Sequence, residues 1–316
     1  MQLQTIVPIN QLTNKINYHS KIVSVGSCFA VNIAQKLTQF QFQNSVNPWG
    51  ILFHPVAIEK LIHAAFNDTV FTTEDVFCVN EIWSCFDTHS DLNALDAESI
   101  VEDINKKTAI FKQNLQQASH FVITLGTAWV YRFNKTNKIV ANCHKIPQAN
   151  FTKQLLSVQD CVSALQNITQ NIKQINPNIQ LIYTVSPVRH IKDGFVENQR
   201  SKAHLITALH EYLCQNNQAY YFPSYEIMMD ELRDYRFYNT DLLHPNQMAI
   251  DYIWERFTEN CIHPEMYQTM KKVDEVQKGL AHKPFNPYAY AHQLFLDKLA
   301  LKLDDLLEQY PFMNFR

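Results

Sequence analysis

The sequence predicts an α/β protein with a parallel β-sheet covered by helices on both faces. Three observations lead to this prediction. Short apolar runs alternate with longer segments in which apolar residues recur every three or four positions. Glycines follow several of the apolar runs, where a turn from strand to helix often needs an unusual backbone conformation. Beyond about residue 262 only helical patterns remain.

Each element of the main sheet follows from this alternation. The predicted strands are 21–26, 121–126, 179–186 and 219–223. Helical patterns separate them, and we expect Ser157 to cap one helix and Asn176-Pro177-Asn178 to end it. Pro245 is expected in the first turn of the helix that carries Ala249.

An insertion, a hairpin and a tail complete the predicted organisation. Residues 76–92 are expected to form short strands, and 129–133 with 138–143 a hairpin. We divide the chain into an α/β domain at 1–261 and a helical C-terminal extension at 262–316 that packs on it. The leucine spacing of the extension lasts about two heptads, fewer than a coiled coil needs.

Composition excludes several function classes. The 316 residues are 46% hydrophobic and carry a net charge of −3, which argues against a nucleic-acid partner or a membrane surface. No apolar run approaches the ~20 residues of a membrane span, so a cytoplasmic protein is expected. Neither the seven cysteines nor the 13 histidines show zinc spacing, and we expect no metal and no cofactor. The sequence leaves the oligomeric state open.

A candidate nucleophile and its base stand out. The chain has only 5 glycines, against about 22 from an average usage near 7%, and Gly26 directly precedes Ser27 after the first strand. Far along the chain, Asp241 and His244 form an Asp-x-x-His pair. A serine hydroxyl becomes nucleophilic when a histidine takes its proton and a carboxylate orients that histidine. Acyl transfer is therefore the leading hypothesis.

Each candidate has an alternative reading. Ser27 in a strand-to-helix turn can simply cap a helix. Cys28 is the rival nucleophile, although its place on an apolar helix face predicts burial. Cys143 and His144 are adjacent in a predicted strand, so their side chains would point to opposite faces.

The segment Gly26-Ser27-Cys28-Phe29-Ala30 resembles the signature of the GSCFA domain family, a bacterial group similar to the SGNH (GDSL-type) hydrolases. The resemblance implies a three-layer flavodoxin-like fold and cleavage or transfer of acyl esters, often on carbohydrates or lipids. It implies Ser27 as nucleophile, His244 as general base and Asp241 as its orienter. The N–H groups of Ser27 and Gly50 would supply the oxyanion hole.

One position departs from the superfamily pattern. Ala128 stands where SGNH enzymes have an asparagine that donates to the oxyanion, and Thr127 or the indole of Trp129 is the nearest substitute. Losing one such donor can cost about 100- to 1000-fold in turnover.

Substrate contacts are expected from residues that follow the strands. Arg189 and His190 follow the fourth predicted strand and can hold an anionic or hydroxylated group, although Arg189 is equally able to pair with a carboxylate. The remaining candidates are Trp49, His54 and Trp129. We predict an ester hydrolase or acyltransferase acting on an acylated carbohydrate or similar small ester. The alternatives are a glycan-binding module on the same fold and a structural partner that uses the C-terminal helix.

Overall fold

The computed structural model describes residues 4–216 and 219–315. At its centre lies a five-stranded parallel sheet of order β10-β9-β5-β1-β2. In chain order these strands run 2-1-3-4-5, the flavodoxin-like arrangement, which confirms the predicted fold class. The strands are β1 (Lys21–Gly26), β2 (Gln43–Val46), β3 (Val76–Val79), β4 (Ile82–Cys85), β5 (His120–Leu125), β6 (Trp129–Phe133), β7 (Lys138–Val140), β8 (Phe151–Leu155), β9 (Gln180–Val185) and β10 (Ala219–Tyr221).

Helices connect the parallel strands and continue beyond the last of them. They are α1 (Cys28–Gln39), α2 (Pro55–Phe66), α3 (Ala97–Gln117), α4 (Val158–Ile175), α5 (Phe195–Gln215), α6 (Ser224–Glu226), α7 (Gln247–Cys261), α8 (Met266–Ala281) and α9 (Tyr290–Gln309). Ser157 caps α4 through a capping box with Asp160, as predicted. None of the described helices is both long and apolar enough to cross a membrane.

The alternation of side chains along each strand assigns the helices to the two faces of the sheet. Val23 and Val25 of β1 point into a core that they share with α2, α3, α4 and α5. Ile22, one position away, packs in the opposite core with α1 and α7. The sheet is thus covered on both sides, which makes the architecture three-layered.

The C-terminal helices pack on the second face. Met270 of α8 and Leu306 of α9 are buried in the same core as Phe257 of α7. Gly279 lies inside α8 where a Cβ would come within 2.6 Å of Leu299 on α9. The absence of a side chain there lets the two helices approach closely. The division of the chain at residue 261 stays a prediction.

Two smaller sheets form the predicted insertions. β3 and β4 pair antiparallel, and β6 is the central strand of an antiparallel sheet of order β7-β6-β8. The hairpin is shorter than predicted because its second strand ends at Val140. Residues 140–143 and β6 then form a wall beside the carboxyl end of the main sheet.

Pro245 is not in the first turn of a helix, contrary to expectation. α7 begins at Gln247, and the side chain of Asn246 caps it by accepting a hydrogen bond from the N–H of Ala249 at 3.1 Å. Pro245 forms a β-bridge with Tyr238 instead. The proline therefore helps to fold the loop that carries His244.

The turn after β1 has no room for a side chain at Gly26. Its φ is +136°, and a Cβ there would overlap the carbonyl oxygen of Thr124 on β5. Gly194 has φ +98° with no atom within 4 Å of the same position. We expect Gly194→Ala to lower the unfolding free energy by about 1–3 kcal/mol through backbone strain alone, and Gly26→Ala to lower it further. Urea denaturation measures both, and equal losses would contradict the proposed overlap.

Candidate functional site

The carboxyl ends of three neighbouring strands bring the candidate residues together. Ser27 follows β1, Gly126 follows β5, and Arg189 and His190 lie beyond β9. β5 pairs with both other strands, so these segments are adjacent along one edge of the sheet. Open α/β sheets bind ligands at this edge.

Ser27 lies at the N-terminus of α1 without capping it. Its N–H donates to the carbonyl of Thr124 at 3.1 Å. Among the described residues its Oγ has no hydrogen-bond partner, either in the helix or elsewhere. The capping alternative is therefore not realised. The side chain of Ser27 is fully buried.

Gly126 faces both Ser27 and His190. A Cβ on this glycine would lie 3.0 Å from the carbonyl oxygen of Phe53, 3.1 Å from Cβ of Ser27 and 3.5 Å from Nε2 of His190. The N–H of Gly126 also donates to Phe53 at 2.8 Å. Any side chain at this position would intrude between the serine and the histidine.

Asp241 and His244 form a preorganised pair. The backbone N–H groups of Leu243 and His244 donate to Oδ1 of Asp241 at 2.8 and 3.0 Å, and Nδ1 of His244 lies 2.6 Å from Oδ2. These hydrogen bonds, the backbone ones first, lower the pKa of Asp241 to about 2. An ionised carboxylate only accepts, so Nδ1 carries the proton and Nε2 of a neutral ring is left as the acceptor. This is the tautomer that a general base requires.

Arg189 holds the loop of this pair against the end of β9. Its guanidinium donates to the carbonyl of Leu242, and its backbone N–H donates to Leu243 at 3.2 Å. The guanidinium also lies over the ring of Tyr238 at 4.4 Å. These contacts realise neither of the two roles considered for Arg189, which were substrate binding and carboxylate pairing. They make it a residue that positions the loop.

A buried lysine lies under the site. Lys202 of α5 is 1% exposed, and its Nζ donates to the carbonyls of Gly126 and Ser186, each at 2.7 Å. It therefore joins the turns that follow β5 and β9. Burial lowers the pKa of Lys202 to about 7, because an ammonium loses hydration inside the protein.

The predicted oxyanion donors are already engaged in the protein. The N–H of Gly50 donates to Asn47 at 2.9 Å, as that of Ser27 does to Thr124. Thr127 donates its N–H to Phe53 at 2.9 Å, and its Oγ1 exchanges a hydrogen bond with Ser201. In this arrangement none of the three backbone N–H groups is free to donate to a ligand, so the predicted oxyanion hole needs another donor.

Two of the predicted substrate contacts are structural. Trp49 is 1% exposed, and its indole N–H donates to Oγ1 of Thr108 at 2.7 Å. His54 is also buried; its Nδ1 accepts from Ala57 and its Nε2 lies 3.2 Å from the carbonyl of Val140. Burial lowers the pKa of His54 to about 4, so the ring is neutral and its hydrogen bonds are satisfied. Neither side chain has a polar group available for a substrate.

A cavity of about 320 Å³ opens beside the serine. Trp129 lines it, with its indole N–H engaged by the carbonyl of Glu197 at 3.1 Å and Lys153 above its ring at 4.3 Å. The lining contains aromatic, polar and charged side chains, including Phe53, Thr127, Trp129, Tyr131, Asn142, Cys143, His190 and Asp193. Ser27 is not part of the lining, but its Cβ borders the same position beside Gly126 as Nε2 of His190, which does line the cavity. Within residues 4–216 and 219–315, no three His, Cys, Asp or Glu side chains are placed to hold a metal ion.

A family model described as the GSCFA family matches residues 21–257. The chain belongs to the GSCFA family. A second model, for the C-terminal domain of GSCFA domain proteins, matches residues 273–316. Both matches confirm the family that the segment around Ser27 predicted. No curated protein matches the chain.

Three solved esterase structures are similar to this GSCFA protein at 10% identity. A family 3 carbohydrate esterase of Clostridium thermocellum covers 81% of this chain and 98% of its own, with a TM-score of 0.36. A mutant acetyl esterase with acetate ion covers 80% and 99%, with a TM-score of 0.37. The acetyl xylan esterase Est2A of Butyrivibrio proteoclasticus covers 85% and 66%, also at 0.37. These likenesses are too distant to assign an activity.

Sequence reasoning missed Lys202 and Asn198. Both lie on the inward face of α5 in this GSCFA protein, together with Leu205 and Leu209. A lysine in the apolar stripe of an amphipathic helix is a signal in itself, because a buried ammonium must find acceptors. The tertiary structure determines that the acceptors are the carbonyls of Gly126 and Ser186.

Lys202 makes stability depend on pH in a predictable direction. Its pKa is about 7 in the folded protein and 10.5 ordinarily. Between these values the unfolded chain binds a proton that the folded protein does not, so stability rises with pH. We expect the difference in unfolding free energy between wild type and Lys202→Met to increase by up to about 1.4 kcal/mol per pH unit across this window. Lys106→Met, at an exposed position on α3, is the control. A difference that stays flat with pH would contradict the lowered pKa.

Proposed function

We propose that this GSCFA protein is a serine-dependent acyl ester hydrolase or acyltransferase. Ser27 is the nucleophile, His244 the general base and Asp241 the residue that orients it. The observation that carries the proposal is the buried, unpartnered Oγ of Ser27 on the sheet edge to which Arg189 fastens the Asp241–His244 loop. A buried hydroxyl without a hydrogen-bond partner lowers the stability of the folded protein. A catalytic role is one explanation for keeping such a group.

The reaction proceeds through an acyl-enzyme. Nε2 of His244 takes the proton of Ser27 while Oγ attacks the acyl carbon, and the carbonyl electrons move onto its oxygen. When the tetrahedral intermediate collapses, the bond to the alcohol breaks and His244 returns the proton to the leaving oxygen. Water then releases the acid in a hydrolase, or a second alcohol accepts the acyl group in a transferase. Asp241 keeps Nδ1 protonated throughout.

The cavity beside Ser27 favours a small ester on a hydroxylated carrier. Trp129 and Tyr131 supply aromatic surface, and Asn142 and Asp193 supply hydrogen-bonding groups. Aromatic faces combined with polar side chains suit a sugar, which presents both C–H surface and hydroxyls. An acylated carbohydrate is therefore the proposed substrate class, and the acyl group occupies the end nearest His190.

Cys28 is a weaker nucleophile than Ser27 in this arrangement. Cys28 was predicted to be buried, and the structure leaves it partly exposed. Burial nevertheless raises the pKa of Cys28, and nearby Lys202 opposes this only in part. The thiol thus stays protonated at neutral pH, and only a thiolate is strongly nucleophilic.

A glycan-binding module is the second candidate function. It is favoured by the complete burial of Ser27 and by the engagement of the Gly50 and Thr127 N–H groups. A binding module would retain carbohydrate affinity after loss of the serine hydroxyl, whereas an esterase would lose turnover.

Ester hydrolysis distinguishes these roles. With p-nitrophenyl acetate as substrate, we expect Ser27→Ala to lower kcat by about 10³-fold or more, as removal of an activated nucleophile does. Cys28→Ser should retain most of the activity, because the thiol takes no part in the chemistry. Inactivation by Cys28→Ser together with an unaffected Ser27→Ala would reverse the assignment.

Asp241→Asn should impair turnover more than binding. An amide at this position can donate to Nδ1 of His244 and so favour the wrong tautomer. The pair is about half exposed, so solvent screens the charge of Asp241. We therefore expect kcat to fall by about 100-fold, less than the ~10⁴-fold loss for a buried serine-protease triad, with KM nearly unchanged. Asp304→Asn on the exposed side of α9 is the matched control. An Asp241→Asn enzyme with full kcat would exclude Asp241 from the mechanism.

A further inference from the structure

Two buried polar atoms without partners flank Gly126. Among the described residues, neither Oγ of Ser27 nor Nε2 of His190 makes a hydrogen bond. Cβ of Ser27 lies 3.1 Å, and Nε2 of His190 3.5 Å, from the position that a Cβ on Gly126 would occupy. The space that the missing side chain leaves is thus bordered by a hydroxyl and a ring nitrogen. A group that hydrogen-bonds to both would satisfy them together.

The backbone of His190 and its ring are each held by one contact, and neither contact involves Nε2. Its backbone N–H donates to Oδ1 of the buried Asn198 at 2.9 Å. Phe53 packs edge-on against the imidazole with 5.6 Å between the ring centres. His190 also lines the cavity beside Ser27, with Thr127 next to it. The nitrogen is therefore preorganised at the inner end of the space assigned to the substrate.

We propose that Nε2–H of His190 donates a hydrogen bond to the oxyanion that forms when Ser27 attacks the acyl carbonyl. This inference rests on the proposed function and adds a catalytic residue to it. It supplies the donor that Ala128 cannot provide and that the engaged N–H groups of Gly50 and Thr127 do not offer. The negative charge on the carbonyl oxygen is then stabilised by a neutral donor inside the protein, where a hydrogen bond to a charged group is strong.

The charge state of His190 agrees with this role. Burial, followed by the charges of Lys202 and His244, lowers the pKa of His190 to about 3. The ring is neutral wherever His244 can act as a base, so it donates without competing for the proton of Ser27. A base this weak does not serve as the general base itself, which separates the roles of the two histidines.

Two substitutions test the donor. His190→Phe keeps an aromatic ring against Phe53 but removes the N–H, whereas His190→Gln places an amide N–H near the position of Nε2. With p-nitrophenyl acetate, we expect His190→Phe to lower kcat by about 100- to 1000-fold, with KM changed less than about threefold. His190→Gln should recover part of that loss. His63→Gln, at an exposed position on α2, is the control and should match wild type.

The outcomes separate this inference from the proposed function. A folded His190→Phe variant with wild-type kcat overturns the role of His190, provided that Ser27→Ala is inactive. Wild-type turnover by Ser27→Ala overturns the proposed function instead. If His190→Phe does not fold, phenylboronic acid binding to His190→Leu, which also lacks the N–H, decides, since the boronate mimics the tetrahedral intermediate. Affinity that falls in parallel with kcat/KM supports the donor, and unchanged affinity contradicts it.

Discussion

The close approach of β1 and β5 at their carboxyl ends is the constraint on which the site depends. Gly26 leaves no room for a Cβ against the carbonyl of Thr124, and that same carbonyl accepts the N–H of Ser27. The serine is therefore fixed by the sheet itself rather than by a flexible loop. Gly126, at the end of β5, keeps open the space in front of it. Two of the five glycines in the chain thus create the position of the candidate nucleophile.

Polar groups at the strand ends fix the rest of the edge. Lys202 joins the turns after β5 and β9, and Arg189 joins the end of β9 to the loop of His244. Lys202 and Arg189 both donate to backbone carbonyls, so they organise the chain without placing a carboxylate near the serine. Asp241 is the one carboxylate that the proposed mechanism uses, and it is itself held by two backbone N–H groups.

The sequence predicted what local chemistry determines. Alternating apolar patterns located four of the five parallel strands. Gly26, which precedes Ser27, indicated the turn that carries the candidate nucleophile. The fifth strand, β2, is short and has no fully buried residue, so no apolar run indicated it. Trp49 and His54 are buried and hydrogen-bonded within the protein, which the sequence did not indicate because an aromatic residue in a loop looks the same whether it fills the core or lines a pocket. The engagement of the Gly50 and Thr127 N–H groups depends on backbone partners that only the folded chain brings near.

The central claim is that Ser27 is an activated nucleophile, and covalent capture tests it most directly. The protein is incubated with a small alkyl fluorophosphonate, and the modified residue is located by mass spectrometry of its peptides. An adduct on Ser27 that disappears in His244→Ala is the predicted result, because capture needs both the hydroxyl and its base. An unlabelled wild-type protein, or an adduct confined to Cys28, would contradict the account.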